Sequence, residues 1–187
     1  MMNNYVTFAF LVPVIALILV VVFYFILSNK TTNKATFKRF TLITLAMAFL
    51  LNFIWEVVQM PLYKDASFDI QHIVFCAIAS VADAIIVLFL YFCFALIYKN
   101  PFWVHDLTLP RLLILMLVGS IGAIGAELYY VSSGNWTYAK SMPTIPIINV
   151  GLSPVLQFMF LPGCIYYLCF KMKMMKKNTF SKPNYRN

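Results

Sequence analysis

Three carboxyl side chains lie within stretches that otherwise have the composition of membrane-spanning helices: Glu56, Asp83 and Glu127. The chain has only six acidic residues, and a carboxylate at the centre of a bilayer costs on the order of 3 kcal/mol on insertion scales. Such residues are rare unless they face the protein interior and have a function there. We therefore take these three as the first candidates for a catalytic site.

Carboxyl groups that share a site of low dielectric constant titrate at different pH values, so one can donate a proton while another accepts one. This pairing suits the isomerisation, cyclisation or hydration of an apolar alkene such as an isoprenoid. It also suits a small proton-coupled carrier, or a pocket for a cationic amphiphile. A structural alternative is that the acids only bond to neighbouring polar groups and fix helix packing in an accessory subunit.

We expect Asp83 to be the most sensitive of these residues, because no Lys or Arg lies within any span to neutralise it. His72 precedes it on the same predicted helix, and at about 100° per residue the two side chains share one face, with Asp83 about 16 Å deeper. The spacing thus predicts His72 near the outer surface, as a fourth catalytic candidate, and Asp83 near the midplane. Asp83 would then form the floor of a cavity, below Glu56 and Glu127 in the outer third of their helices. An interfacial role without catalysis is the alternative for His72.

Further polar and aromatic side chains are predicted to face the same cavity. Three of them share a helical stripe with Glu56 or adjoin it, two follow the fourth span, and one projects from the first turn of the last helix. We predict a substrate-binding surface formed by Asn52, Trp55, Gln59, Trp136, Tyr138 and Gln157. For Trp136 and Tyr138 the alternative is a place in the aromatic belt of the membrane interface.

The elements that position these residues follow from hydropathy. The 187-residue chain is 63% hydrophobic and 11% charged, whereas soluble domains carry about 25% charged residues. About 20 apolar residues cross a ~30 Å hydrocarbon core. The sequence predicts one all-α transmembrane domain over residues 1–175, a polytopic bundle with a disordered basic tail at 176–187. Its five spans lie near Val6–Leu27, Thr41–Met60, His72–Tyr98, Leu112–Val131 and Ile147–Phe170.

The start of the fifth span is irregular in sequence. Residues 143–154 contain three prolines, a glycine and an asparagine among apolar residues. Ser153 and Pro154 form a good N-cap and first-turn pair, so a continuous helix is predicted only from Pro154. The residues before it are expected to be extended or re-entrant, which is tolerated at membrane depth only against protein or a wet cavity.

Basic residues predict the orientation. Twelve of the fourteen lie in the loops after spans one and three or in the tail, and only Lys64 and Lys140 lie on the other side. The positive-inside rule then places the N-terminus outside and the tail in the cytoplasm of a cell whose inner membrane holds the protein. The net charge of +8 reflects this bias, so we expect no nucleic-acid partner.

The absence of several catalytic and cofactor-binding motifs from the sequence reduces the number of possible reaction types. The sequence has no HExxH, GxSxG, phosphate-binding loop or dinucleotide fingerprint, and its two histidines are too few for a His-rich metal cluster. We therefore expect no metal and no cofactor. The expected partners are the lipid bilayer and an apolar or amphiphilic small molecule. A carrier of only five spans would in addition need to form a homodimer.

Two resemblances rest on particular residues. The stretch 52–63 (NFIWEVVQMPLY), together with Glu127, GNWTY at 134–138 and PTIP at 143–146, resembles an uncharacterised family of small bacterial multi-pass membrane proteins, which implies the fold but no activity. A membrane Glu before a Gly/Tyr/Pro-rich outer loop looks like carotenoid hydratase and cyclase membrane proteins. Five spans with buried acids are similar to the emopamil-binding type of sterol isomerase. These class-level resemblances imply a lipid-modifying enzyme.

Overall fold

The computed structural model describes residues 11–179, with side chains for residues 12–172. It is a bundle of five long helices, each apolar and long enough to cross a membrane, which confirms the predicted all-α polytopic bundle. The start of the first predicted span at Val6 and the residues beyond Thr179 lie outside the described part. The helices are α1 (Leu11–Lys30), α2 (Lys34–Gln59), α3 (Ile70–Ile97), α4 (Leu109–Ser132) and α5 (Leu152–Thr179).

Polar caps extend the helices beyond the predicted apolar spans. The Asn33 side chain accepts a hydrogen bond from the Thr36 amide at 2.9 Å, so α2 begins at Lys34 rather than near Thr41. Asp69 caps α3 in the same way through the His72 amide, also at 2.9 Å. An N-cap side chain satisfies amides that have no partner within the helix, so the helix can begin in polar sequence.

The helices pack in the order α1, α3, α2, α5, α4, so that sequence neighbours are not always neighbours in space.

One end of the bundle, where α2 and α4 end and α3 and α5 begin, is called the cavity end below. There a short 3₁₀ turn, Met60–Leu62, follows α2. The next residues pair with the loop after α4 through Lys64 N–H to Thr137 O and Ala139 N–H to Leu62 O, both at 2.9 Å.

The segment before α5 is extended, as expected from its prolines, but it folds back on itself rather than running into the bundle as a helix. Strands β1 (Thr144–Ile145) and β2 (Val150–Gly151) form a small antiparallel hairpin. Its tip residue Ile147 is 98% exposed and has a positive φ of 77°. α5 begins directly after β2, at Leu152, two residues before the predicted start.

The opposite end of the bundle is closed by a dense aromatic core. Tyr91 and Tyr166 pack edge to face with ring centroids 5.2 Å apart, and the fully buried Trp103 lies against both. Each polar atom of this cluster finds a backbone acceptor: Tyr91 at Pro101 O, Tyr166 at Val87 O and Trp103 at Tyr91 O. Buried polar atoms need such partners. This end of the bundle is therefore filled by packed side chains, and the cavity described below lies at the opposite end.

Glycine at position 119 sets the closest approach between α4 and α5. A Cβ at Gly119 would lie 2.2 Å from the backbone oxygen of Phe158, whereas a Cβ at Gly122 on the same helix would meet nothing within 4 Å. Because a backbone carbonyl cannot swing away like a side chain, we expect Gly119→Ala to destabilise the bundle by about 1–3 kcal/mol. Gly122→Ala is the matched control.

This difference is measured as the thermal midpoint of the two variants in the same detergent. Gly122→Ala should equal or slightly exceed the wild type, since alanine is the better helix former. Equal midpoints for the two variants would contradict the close packing of α4 on α5.

Candidate functional site

A cavity of about 560 Å³ lies at the cavity end, between α2, α3, α4 and α5. All four predicted catalytic residues line it, as do three of the six predicted binding residues. The lining residues from these two groups are Glu56, His72, Asp83, Glu127, Gln59, Trp136 and Gln157. Asn52, Trp55 and Tyr138 are not at its surface, although Asn52 and Tyr138 bond to residues that are.

The amide of Gln157 is the centre of the site. Its Nε2 lies 2.9 Å from Asn52 Oδ1, 3.2 Å from Glu56 Oε1 and 3.1 Å from Asp83 Oδ2. Gln157 is almost fully buried, and it brings together residues of α2, α3 and α5. One amide nitrogen carries only two hydrogens, so it faces one more acceptor than it can satisfy.

The orientation of these amides follows from a chain of hydrogen bonds. Asn52 Nδ2 donates to Ala48 O at 2.8 Å, so Asn52 Oδ1 is an acceptor and faces Gln157 Nε2. Gln59 Nε2 donates to Glu56 Oε1 at 2.8 Å and lies 3.4 Å from Gln157 Oε1. Ser153 then donates to Gln59 Oε1 at 2.8 Å. This series of hydrogen bonds assigns the oxygen and the nitrogen of each amide. In that assignment, the nitrogen of Gln157 points towards the carboxyl groups.

The structure corrects the predicted depth of Asp83. We expected it to form a floor below Glu56, but one nitrogen, Gln157 Nε2, lies 3.2 Å from Glu56 Oε1 and 3.1 Å from Asp83 Oδ2. Asp83 lies about 20 Å along α3 at 1.5 Å per residue, whereas Glu56 is within one turn of the end of α2. The two acids therefore share one level because the first turns of α3 project past the end of α2.

Glu127 forms a second centre within the same cavity. It is only 6% exposed, and its Oε2 accepts a hydrogen bond from Trp136 Nε1 at 3.3 Å and a short one from the Tyr138 hydroxyl. Burial raises the pKa of Tyr138 above its ordinary value, and the bond to Glu127 raises this pKa further. Tyr138 thus remains a proton donor to the carboxyl group at neutral pH. Gly151 supports its ring, since a Cβ there would lie 3.0 Å from it.

The mouth of the cavity carries aromatic side chains that the sequence interpretation missed. Tyr63 and Tyr130 line it on either side of Trp136, with centroid distances of 6.4 and 4.9 Å to the indole ring. Burial and the nearby charge of Glu127 raise the pKa of Tyr63 well above its ordinary value. In sequence, Tyr63 and Tyr130 are two among eleven tyrosines, and only the packing of both rings against Trp136 marks them as members of the site.

His72 lies at the rim of the cavity rather than beside the acid pair. Its Nδ1 is 2.8 Å from Asp69 Oδ2 and 3.3 Å from Ser67 Oγ, and the group is exposed. The Ser67 hydroxyl, the His72 amide and the His72 ring together hold the pKa of Asp69 well below its usual range. The predicted association of His72 with Asp83 along one helix face is therefore limited to a shared cavity.

Trp55 makes no contribution to the polar network. Its indole nitrogen is buried and has no hydrogen-bond partner among the described residues, and the side chain is not part of the cavity wall. The predicted binding role of Trp55 is thus not supported by its position.

No cation balances the acids in the part of the chain that the structure describes. The ion pairs there join histidines to aspartates, His72 to Asp69 and His105 to Asp106, and Lys64 reaches the cavity only at its exposed mouth. Over the same residues, no group of three His, Cys, Asp or Glu side chains is arranged to hold a metal ion.

The fold and the cavity define this protein as a multi-pass membrane protein. Comparison with protein-family models, curated proteins and solved structures finds no match. The resemblances drawn from the sequence therefore stay predictions, and the function is argued from the site alone.

Proposed function

We propose that this protein catalyses acid–base chemistry on an apolar, isoprenoid-like substrate, with Glu56 and Asp83 as the reacting pair. One observation carries the proposal: two carboxyl groups meet at a single amide nitrogen, inside a cavity between helices that are long and apolar enough to cross a membrane. Among the described residues, no Lys or Arg pairs with either carboxyl group. Paired carboxyls of this kind divide into one proton donor and one proton acceptor.

The hydrogen-bond inventory supports one shared proton. Gln157 offers two hydrogens to three acceptors, and Gln59 supplies a further hydrogen to Glu56. A proton held between Glu56 and Asp83 satisfies the remaining acceptor and removes one of the two negative charges. Two unpaired carboxylates at this spacing in a medium of low dielectric constant would repel each other strongly.

Isomerisation of an alkene follows from this arrangement without any net consumption of protons. The protonated carboxyl donates its proton to one carbon of the double bond, which leaves a carbocation at the other carbon. The partner carboxylate removes a proton from the carbon adjacent to the cation, and the new double bond forms. One proton enters the substrate and one leaves. The π faces of Tyr63, Tyr130 and Trp136 near the cavity mouth are suited to stabilise positive charge.

Of the alternatives, an accessory subunit has one observation in its favour: almost every polar atom around Gln157 already has a partner within the protein. A carrier has less support, since the aromatic core closes the half of the bundle opposite the cavity and alternating access would need that core to open.

The lipid extract of cells with and without the protein tests the enzyme proposal. Cells that contain the protein should accumulate a double-bond isomer, hydrate or cyclised form of an isoprenoid that is depleted when the gene is deleted. Identical extracts, together with loss of another membrane protein on deletion, would favour the accessory subunit instead.

We further propose that the cavity end faces the outside of the cell membrane and that the C-terminal end lies in the cytoplasm, because the basic residues concentrate at the opposite end. A reporter that is active only in the cytoplasm should therefore be active when fused after Arg186. Activity of a reporter that works only outside would contradict this orientation.

A further inference from the structure

The four helices that line the cavity do not all pack against one another. α3 packs on α1 and α2, and α4 packs on α5, but no extensive packing joins α3 to α4 within the part of the chain that the structure describes. Both helices nevertheless line the cavity, α3 through Phe75, Ala79 and Asp83 and α4 through Ala126 and Glu127. The cavity thus has a side that none of the five described helices covers.

Exposure of small and apolar residues marks the place where this side is open. Phe75 is 58% exposed and Ala126 is exposed, although both residues also line the cavity. Both lie within membrane-spanning helices, inside the first two turns of α3 and the last two turns of α4. We call this gap, bordered by Phe75 and Ala126, the α3–α4 opening. Both helices are long and apolar enough to cross a bilayer, and in the proposed orientation we expect lipid rather than water to face this opening.

We infer that the α3–α4 opening admits a neutral long-chain or isoprenoid alcohol from the bilayer, with its hydroxyl group bound at Glu127. The inference rests on the proposed function and specifies the substrate class and route of access for the same site. A cavity of about 560 Å³ is within the range of roughly 300–1,000 Å³ that holds small-molecule ligands.

The charges of the cavity select the head group. Three carboxyl groups line it, and the one lysine at its wall, Lys64, is exposed at the mouth, so a carboxylate or phosphate head would be repelled. A hydroxyl group can donate to a carboxylate. Glu127 lies within two turns of Ser132, the last residue of α4, and it bonds to Trp136 and Tyr138 of the loop that follows. A hydroxyl group bound there would lie at the outer end of the cavity, the interfacial level of a lipid alcohol.

The position of the hydroxyl head group determines where the rest of the bound alcohol lies. Glu127, the α3–α4 opening and the acid pair Asp83 and Glu56 all belong to one cavity. We expect the part of the bound molecule that lies inside this cavity to present its double bond to the acid pair.

A photoreactive alcohol tests this route in the full chain. Hexadecanol with a mid-chain diazirine is added to the protein in phosphatidylcholine vesicles and irradiated, and labelled peptides are mapped by mass spectrometry. We expect labels on the cavity faces of α3 and α4 that excess hexadecanol removes. The palmitic acid analogue, which has the same length and an anionic head, should label the cavity about tenfold less, equivalent to ~1.4 kcal/mol.

Two variants at the opening and one control make the test specific. Ala126→Phe fills the gap and should lower cavity labelling about tenfold, while Phe75→Ala widens it and should preserve or increase labelling. Ile121→Phe is the control, because Ile121 lies on α4, is 61% exposed and does not line the cavity. Thermal midpoints confirm that each variant is folded.

Equal labelling of wild type and Ala126→Phe, or a loss of labelling in Phe75→Ala, would overturn lateral access. Equal labelling by alcohol and acid would overturn the head-group assignment. Specific labelling in a protein whose deletion leaves the lipid extract unchanged would refute the enzymatic function alone, so the two proposals fail separately.

Discussion

Asp83→Asn should abolish the lipid conversion while leaving the protein folded. Asparagine has the size of aspartate and keeps a hydrogen-bonding oxygen for Gln157, which lies 3.1 Å from Asp83 Oδ2. It cannot exchange a proton with Glu56. General acid–base catalysis contributes about 10²–10⁴-fold to a rate, and we expect a loss of that size in conversion per molecule of protein. The measurement is the ratio of product to precursor isoprenoid in extracts at matched expression.

Glu56→Gln should give a loss of similar size, and the double variant should lose little more than either single one. Residues that act as one unit are strongly non-additive, whereas two independent structural residues would give additive effects. The control is Asp65→Asn, an exposed acid in the loop after α2, which should leave conversion unchanged. Full conversion in both single variants would make the carboxyls structural and favour the accessory subunit.

Gln157→Leu is expected to have the largest effect on stability. Leucine is similar in size but leaves Asn52 Oδ1 and Asp83 Oδ2 without their amide donor in a buried site. A buried polar group left without a partner costs about 1–3 kcal/mol, so the loss of two bonds corresponds to about 2–6 kcal/mol. The thermal midpoint in detergent should fall accordingly.

Gln71→Leu provides the matched control, because Gln71 lies in the first turn of α3 and is exposed. This substitution should leave the midpoint near that of the wild type. If Gln157→Leu were as stable as Gln71→Leu, the bridging role of the buried amide would be wrong, and with it the argument that Glu56 and Asp83 share one proton.

Much of the architecture could be predicted from local sequence. The number of spans follows from runs of apolar residues, and the position of Glu56, Asp83 and Glu127 towards the interior follows from the cost of a carboxylate in lipid. The extended segment before α5 follows from its prolines, since proline lacks an amide hydrogen and fixes φ. These properties depend on residues that are close together in sequence, so they can be predicted without a structure.

Only the tertiary structure determines which functional side chains come into contact. Hydropathy and helical period specify which face of a helix turns inward, but they do not specify how far one helix is shifted along another. That shift depends on packing along the whole length of two helices, and between α3 and α2 it places Asp83 level with Glu56 instead of below it. In the same way, loop pairing at Lys64 and Thr137 brings Tyr63 to Trp136, a contact between residues far apart in sequence that no local pattern encodes.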